Sequence, residues 1–146
     1  MSIHTIYNHK LFEFISANAC DLSNSNLKTI DEKIFYFKNI EKLDLSENNL
    51  LTIPDNINKL KNLKTLILSD NQLIKLPETI GELVNLNNLY LSGNKLNSLP
   101  KSITKLTNLK WLYLLENEYL ILTPEQEKWI NTLKQNGCKV MQDYEN

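Results

Sequence analysis

The chain has 146 residues, and four residue types (27 Leu, 21 Asn, 16 Lys and 14 Ile) supply more than half of them. Its hydrophobic fraction of 42% is ordinary for a globular protein and argues against disorder, and the length fits one domain. All 16 basic residues are Lys, and 17 acidic residues bring the net charge to -1. This balance disfavours nucleic-acid binding, and the lack of Arg removes the guanidinium group that best binds phosphate.

The amino-terminal residues do not have the pattern of a targeting segment. Their apolar stretch runs only from Leu11 to Ile15 and is interrupted by Glu13. A cleaved signal peptide needs a continuous apolar region of about 7 to 15 residues. No stretch of about 18 apolar residues occurs anywhere in the sequence, which excludes a transmembrane helix. We therefore expect neither a cleaved signal peptide nor association with a membrane.

Residues 1–16 carry apolar side chains at intervals of three or four positions, which is typical of an amphipathic helix. These side chains are Ile3, Ile6, Tyr7, Leu11, Phe14 and Ile15. We interpret this segment as an N-terminal helical cap that covers the front end of the following residues. Docking to a membrane or a partner is the alternative, and it is disfavoured because the helix lacks the Lys-rich polar face of interfacial helices.

From residue 17 onwards the chain repeats every 23 residues, most clearly in the units that begin at Ile40, Leu63 and Leu86. The fourth and sixth positions of each unit are apolar and alternate with polar residues, which indicates a short strand with one buried face. The fourth position holds Cys20, Leu43, Leu66, Leu89 and Leu112, and the sixth holds Leu22, Leu45, Leu68, Leu91 and Leu114. With a degenerate first unit and a distorted last one, five units span residues 17–131.

Two further sets of positions recur in every unit. A hydroxyl or amide side chain at the ninth position is expected to point inward and to hydrogen-bond the backbone of adjoining turns; these residues are Ser25, Asn48, Asn71, Asn94 and Asn117. Apolar side chains at the eleventh position and in the return segment are predicted to join the core. They are Leu27, Leu50, Leu73, Leu96 and Tyr119, followed by Ile34, Ile57, Ile80 and Ile103 and then by Phe37, Leu60, Leu83, Leu106 and Trp129.

The pattern L-x-x-L-x-L-x-x-N-x-L is matched by Leu43, Leu45, Asn48 and Leu50 and by their equivalents in the next two units. In this the chain resembles the leucine-rich repeat family, in its 23-residue bacterial type. The resemblance implies an α/β solenoid, a right-handed coil with a parallel sheet on its concave face and helical caps at both ends. The residues agree, because one short strand and its return segment cannot bury their own leucines unless neighbouring units stack.

The last part of the chain has the signals of a second helical cap. Thr123, Pro124 and Gln126 fit an N-cap, a first-turn proline and a capping-box residue. The helix is predicted to run to about Gln135, and Asn136 and Gly137 should end it. The following Cys138, Val140 and Met141 suggest a last short strand or an extended tail. Residues 123–146 thus form a C-terminal helical cap and tail that overlap the last unit.

The residues that could carry catalysis are few and far apart. His4 and His9 lie in the front cap, with no Cys or carboxylate at the spacing of zinc ligands. Cys20 occupies a core position, and Cys138 lies at the opposite end of the stack from both histidines. A Cys–His pair is thereby excluded. We expect a protein that is not an enzyme and that has no metal and no cofactor.

Alternation along the strands predicts that the third, fifth and seventh residues of each unit face solvent on the concave sheet. Aromatic and acidic residues at these positions and in the next loop are candidates for partner binding, since exposed Trp and Tyr dominate interface hot spots. The candidates are Tyr90, Trp111, Tyr113, Ile67, Asn88, Leu115, Lys42, Asp44, Asp21, Glu47 and Asp70. For Trp111 and Leu115 the alternative is that the C-terminal cap folds over them.

We therefore predict a non-catalytic module that docks one protein partner on its concave face and inhibits or regulates it. The resemblance extends to small leucine-rich repeat effectors of intracellular bacteria. It implies a partner that is an enzyme or another effector, and a location in the cytoplasm, either of the producing cell or, after delivery, of a host. The free protein is expected to be a monomer. The alternative is a scaffold that self-associates, while binding of nucleic acid or carbohydrate is disfavoured because the face lacks cations.

Overall fold

A computed structural model of the protein describes residues 18–143. The predicted N-terminal cap and the last three residues of the predicted tail lie outside the described residues. Six strands of three residues each form a single parallel sheet in sequence order. They are β1 (Ala19–Asp21), β2 (Lys42–Asp44), β3 (Thr65–Ile67), β4 (Asn88–Tyr90), β5 (Trp111–Tyr113) and β6 (Lys139–Met141).

The strand register follows the sequence period. Leu43 pairs with Leu66, and Leu66 pairs with Leu89, so each residue lies beside its equivalent 23 positions later. Equivalent side chains therefore stack in columns across the sheet. The predicted last short strand is confirmed as β6, which extends the sheet by placing Val140 beside Leu112.

Short 3₁₀-helices form the opposite, convex side of each repeat. They are η1 (Glu32–Tyr36), η2 (Asp55–Lys59), η3 (Glu78–Glu82) and η4 (Lys101–Lys105). Pro54, Pro77 and Pro100 directly precede η2, η3 and η4 in an extended conformation. Their fixed φ and missing N–H suit the position just before the first helical turn.

One continuous core runs between the sheet and the 3₁₀-helices, and every residue of the predicted fourth and sixth positions is buried in it. At the end of η1, Phe35 is fully buried. Phe37, which was predicted to be a core residue, is only partly buried and packs against this core. Each added repeat buries apolar surface against its neighbour, and this burial contributes about 25 cal/mol per Å². The stack of repeats is therefore the stable structure, and a single unit is not.

The C-terminal helix forms as predicted and replaces the 3₁₀-helix of the last repeat. Helix α1 (Pro124–Gln135) begins with a capping box in which Thr123 accepts a hydrogen bond from the Gln126 N–H and donates its own N–H to the Gln126 side chain. Gln126 also donates to the Leu99 carbonyl at 2.9 Å, and Trp129 Nε1 donates to the Leu106 carbonyl at 3.1 Å. These bonds fix the cap on the preceding repeat.

One predicted core position is wrong. Tyr119 is 66% exposed, although its equivalents in the preceding repeats are buried. The cause is a turn at Glu118 and Tyr119, closed by a hydrogen bond from the Leu120 N–H to the Asn117 carbonyl at 3.0 Å. The turn advances the chain by one residue, so Leu120 packs against the core instead.

Candidate protein-binding surface

The carboxyl ends of the strands are held by the predicted row of asparagines, which we call the asparagine ladder (Asn48, Asn71, Asn94 and Asn117). All four side chains are buried. The Asn71 amide oxygen accepts the Leu50 N–H at 3.0 Å, and its NH₂ group donates to the carbonyls of Leu45 and Leu68 at 2.9 and 3.1 Å. Each ladder residue thus bonds the backbone of its own repeat and of the preceding one, which fixes the loops beside the concave face.

A second asparagine row on the convex side was missed by the sequence reasoning. Asn62, Asn85 and Asn108 each donate to a backbone carbonyl of the preceding repeat, at 2.9, 2.8 and 2.9 Å. These residues occupy the last position of the 23-residue unit. Their recurrence in the sequence was the available signal. Side-chain amides thus hydrogen-bond the backbone at both ends of the repeat, and these bonds hold the strands of the sheet in position.

The alternation predicted for the concave face is confirmed. No residue at the third, fifth or seventh position of the five units is buried within the described part of the chain. Lys42 and Asp21 are exposed, and Glu47 and Asp70 are exposed in the following loops. The remaining candidates are half-buried on the face, and they are Asp44, Ile67, Asn88, Tyr90, Trp111, Tyr113 and Leu115.

Three of these residues form a packed group, the aromatic cluster (Tyr90, Trp111 and Tyr113). The ring centroids of Tyr90 and Tyr113 are 5.0 Å apart, and those of Trp111 and Tyr113 are 6.1 Å apart. Strand pairing places Tyr90 directly beside Tyr113, and Trp111 lies two residues earlier on the same face of β5. These separations are in the range of favourable aromatic contacts. The three rings therefore support one another on the face.

The neighbour of Trp111 on the outer side is strand β6. The Lys139 ammonium lies 4.5 Å from the centroid of the Trp111 ring, a cation–π contact. Lys139 is paired with Trp111 in the β5–β6 register, whereas α1 packs against η4 and β6. Trp111 and Leu115 stay half-buried. The predicted alternative was that the C-terminal cap folds over Trp111 and Leu115. In the structure, β6 of this cap and tail lies beside Trp111, and both side chains keep part of their surface exposed.

The two aspartates of the early strands have local partners. Asp21 accepts hydrogen bonds from the N–H and hydroxyl groups of Ser23 at 3.0 and 2.7 Å. Asp44 does the same for Ser46 at 3.1 and 2.6 Å. The recurring Asp-x-Ser sequence was the signal for this pairing, and the sequence reasoning overlooked it. These carboxylates support the strand ends as well as adding negative charge to the face.

The third and fourth repeats keep the serine and lose the aspartate, and the fifth loses both, with Leu115 in place of the serine. Ile67, Tyr90 and Tyr113 stand where Asp21 and Asp44 stand in the first two strands, while Ser69 and Ser92 remain. The Ser92 hydroxyl oxygen is buried and has no hydrogen-bond partner among the described residues. A buried polar group without a partner costs on the order of 1 to 3 kcal/mol. With tyrosine at position 90, the repeat does not form the hydrogen bond that an aspartate at this position accepts from the serine in the first two repeats.

Comparison with known proteins agrees with this architecture. The profile of the family described as "Leucine-rich repeat region" matches residues 37–135, more than half of the chain. The chain belongs to the leucine-rich repeat family. Comparison with curated proteins by sequence gives no match.

Solved structures of leucine-rich repeat proteins share the fold. A leucine-rich repeat protein of Leptospira interrogans is 32% identical, with 92% of this chain and 38% of that chain covered and a TM-score of 0.72. An internalin of Listeria monocytogenes is 21% identical, with 100% and 38% covered and a TM-score of 0.70, which shows the fold alone. The ectodomain of the receptor kinase SOBIR1 of Arabidopsis thaliana is 25% identical, with 84% and 66% covered and a TM-score of 0.67. The chain thus spans well under half of the two bacterial chains.

Leucine-rich repeat proteins are in general non-catalytic scaffolds that mediate protein–protein interactions, and they use extended concave surfaces for binding. Within residues 18–143, no group of three or more His, Cys, Asp and Glu residues could hold a metal ion. Nor does this part of the chain contain a helix that is long and apolar enough to cross a membrane.

A row of loop residues in this leucine-rich repeat protein has left-handed backbone conformation. Glu47, Asp70 and Glu116 have φ of 54°, 56° and 56°, and their equivalents in the other repeats are Asn24 and Gly93. Gly, Asn and Asp tolerate this conformation, whereas other side chains such as Glu cost about 1 to 2 kcal/mol there. A Cβ atom at Gly93 would meet the Asp70 carboxylate. The row places carboxylates along the loop edge of the concave face.

Burial affects the titration of two groups, Tyr90 on the concave face and Cys138 before β6. Burial raises the pKa of Tyr90 above its ordinary value, and the neighbouring Tyr113 phenol adds a smaller effect in the same direction. Burial likewise raises the pKa of the Cys138 thiol. The phenol of Tyr90 therefore stays protonated near neutral pH, where it can donate a hydrogen bond from the face.

Proposed function

We propose that the chain is a non-catalytic module that docks one protein partner on its concave face, with the aromatic cluster as the anchor. The observation that carries this proposal is the ordered packing of Tyr90, Tyr113 and Trp111, at 5.0 and 6.1 Å, on half-exposed positions of the sheet. Rigid aromatic side chains bury a large area on binding and lose little conformational entropy.

The unpaired Ser92 hydroxyl supports the same proposal. Folding alone favours an aspartate at the position of Tyr90, because Asp44 shows how that residue satisfies the serine two positions later. A residue that breaks a local stabilising pattern is a candidate for a functional role. Tyr90 is such a residue, and it lies between Ile67 and Tyr113 in the middle of the later strands.

The mechanism we propose is inhibition or regulation by occupation of a surface. A concave sheet can cover the active site or docking surface of an enzyme or of an effector, and such coverage needs no catalytic group of its own. We propose that this role is that of a bacterial effector or of a regulator of effectors; a leucine-rich repeat protein of the bacterium Leptospira interrogans is 32% identical to the chain. We place the protein in the cytoplasm of its cell or, after delivery, of a host.

The test uses a variant that is designed to keep the fold. In Tyr90→Asp the new carboxylate can accept bonds from Ser92, as Asp44 does from Ser46. The gained hydrogen bonds, about 0.5 to 1.5 kcal/mol, offset an aromatic contact of about 0.5 to 1.5 kcal/mol. We therefore expect an unchanged melting temperature and at least about a tenfold loss of the captured partner, as a hot-spot truncation would give.

Affinity capture followed by quantitative mass spectrometry measures this loss, with Tyr36→Asp as the matched control. Tyr36 is 65% exposed on the convex side, at the end of η1. The control should retain the partner of the unsubstituted protein. If the partner is an enzyme, the unsubstituted protein should also lower its activity, and Tyr90→Asp should not. Equal capture by both variants would place the binding site elsewhere.

A further inference from the structure

The turn that displaces Tyr119 also creates a groove on the loop edge of the last repeats. The groove has a volume of about 920 Å³, and Ile74, Lys95, Glu116, Glu118, Tyr119 and Asp143 contribute to its lining. It lies beyond the carboxyl ends of the strands, so the aromatic cluster is not part of it. The groove was not predicted, because Tyr119 occupies a position at which the preceding repeats bury a leucine.

Large apolar side chains are exposed along this edge. Tyr119 and Ile121 are 66% and 77% exposed, and they are the two most exposed large hydrophobic residues among residues 18–143. Hydrogen bonds from the Asn97 N–H to the Ile74 carbonyl and from the Ile121 N–H to the Asn97 carbonyl align these loops side by side. Ile74 and Tyr119 therefore line one continuous depression.

The charged part of the lining is predominantly negative. Glu116, Glu118 and Asp143 contribute carboxylates, and Lys95 contributes one ammonium group. No ion pair joins Lys95 to these carboxylates in the part of the chain that the structure describes. A cationic group that entered the groove would thus meet an excess of carboxylates that have no cation of residues 18–143 within ion-pair distance.

We propose that this groove is a second docking site, which binds a segment of a partner protein that carries one large apolar side chain flanked by Lys or Arg. The apolar residue contacts Ile74 and Tyr119, and the flanking cations meet Glu116, Glu118 and Asp143. Charge complementarity selects this occupant, since an acidic segment would be repelled by the rim. The site does not rest on the function proposed for the concave face.

The experiment titrates the full chain, labelled with ¹⁵N, with a blocked pentapeptide that has a central Leu between two pairs of Arg. Amide shifts should saturate and concentrate at Ile74, Lys95, Glu118 and Tyr119. Two comparison peptides replace either the central Leu by Gly or the four Arg by Glu, and both should bind at least about tenfold more weakly.

Matched variants assign the contacts. Tyr119→Ala and Glu118→Lys should each weaken binding about tenfold or more, whereas Tyr36→Ala and Asp55→Lys should stay within about twofold. Tyr36 has almost the same exposure as Tyr119, at 65% against 66%, and Asp55 is exposed at the start of η2. Tyr90→Ala should leave the peptide affinity unchanged, so that failure of this site and failure of the concave site are separable.

Several results would overturn the proposal. Equal affinity for the Leu and Gly peptides would remove the apolar contact, and equal affinity for the Arg and Glu peptides would remove the electrostatic one. Shifts centred on the aromatic cluster would assign the peptide to the concave face. A dimer in sedimentation that Tyr119→Ala dissolves would make a second copy of this chain the occupant.

Discussion

The first two strands of the concave face and the fourth and fifth strands have the same backbone and the same interior, but different outward side chains. On β1 and β2 the outward aspartates bond the serines two residues later. On β4 and β5 the equivalent positions hold Tyr90 and Tyr113, and the Ser92 hydroxyl is left without a partner among the described residues.

This difference separates the outward residues that folding explains from those that it does not. If stacking alone chose the outward residues, the aspartate–serine pair would recur along the whole sheet, because the backbone that supports it recurs. The interior columns do recur, since Leu43 and Leu89 are equally buried at the same position of their repeats. The outward residues of the later strands are thus the part of the protein that folding does not explain.

The largest expected effect tests whether the two halves share one interior. Leu43→Ala and Leu89→Ala each remove a fully buried side chain from the fourth position. We expect each to lower the free energy of unfolding by about 2 to 5 kcal/mol through lost burial and a residual cavity. Urea denaturation measures both. A much smaller cost at one site would mean that the halves are packed differently and would weaken the comparison.

A smaller effect is expected for the asparagine ladder, which runs through both halves. Asn71→Ala leaves the Leu50 N–H without its acceptor and removes one of the two amide donors from each of the Leu45 and Leu68 carbonyls. The change should cost about 1 to 3 kcal/mol. Asn49→Ala is the matched control, because among the described residues the Asn49 side chain bonds side chains and no backbone group: it donates to Asn26 at 2.7 Å and accepts a long bond from Gln72 at 3.4 Å. The control should change stability by less than about 0.5 kcal/mol. Equal costs would show that the ladder is not buried as described.

Most of the fold was predictable, because a strict period fixes which residues share a column. The strands, the asparagine ladder and the capping box at Thr123 were all predicted from residue types at fixed positions, and all are confirmed. Tyr119 escaped this reasoning because a single added turn residue shifts the chain, and a periodic alignment cannot register such a shift.

The candidate site was predictable only in part. Alternation placed the outward residues correctly, but the bonds from Asp44 to Ser46 depend on side-chain geometry that the pattern does not contain. The distances within the aromatic cluster likewise depend on side-chain geometry. The contact of Lys139 with Trp111 depends on the pairing of β6 with β5, which no repeated position in the sequence indicates. Partner binding by these residues stays a prediction.

The smallest expected effect concerns pH and only the later half of the face. Because burial raises the pKa of Tyr90 above its ordinary value of 10.0, the unfolded chain releases this proton at lower pH than the folded protein does. The stability that Tyr90 contributes is therefore fully present below its ordinary pKa and is lost as the pH rises through the higher pKa of the folded state.

Urea midpoints measured between about pH 8 and about pH 11, which spans ordinary tyrosine titration, should fall less steeply for Tyr90→Phe than for the unsubstituted protein. Tyr36→Phe, at an exposed position on the convex side, should follow the unsubstituted protein. Identical slopes for all three proteins would mean that Tyr90 titrates as a solvated phenol, and the ordered packing of the aromatic cluster would then not hold in solution.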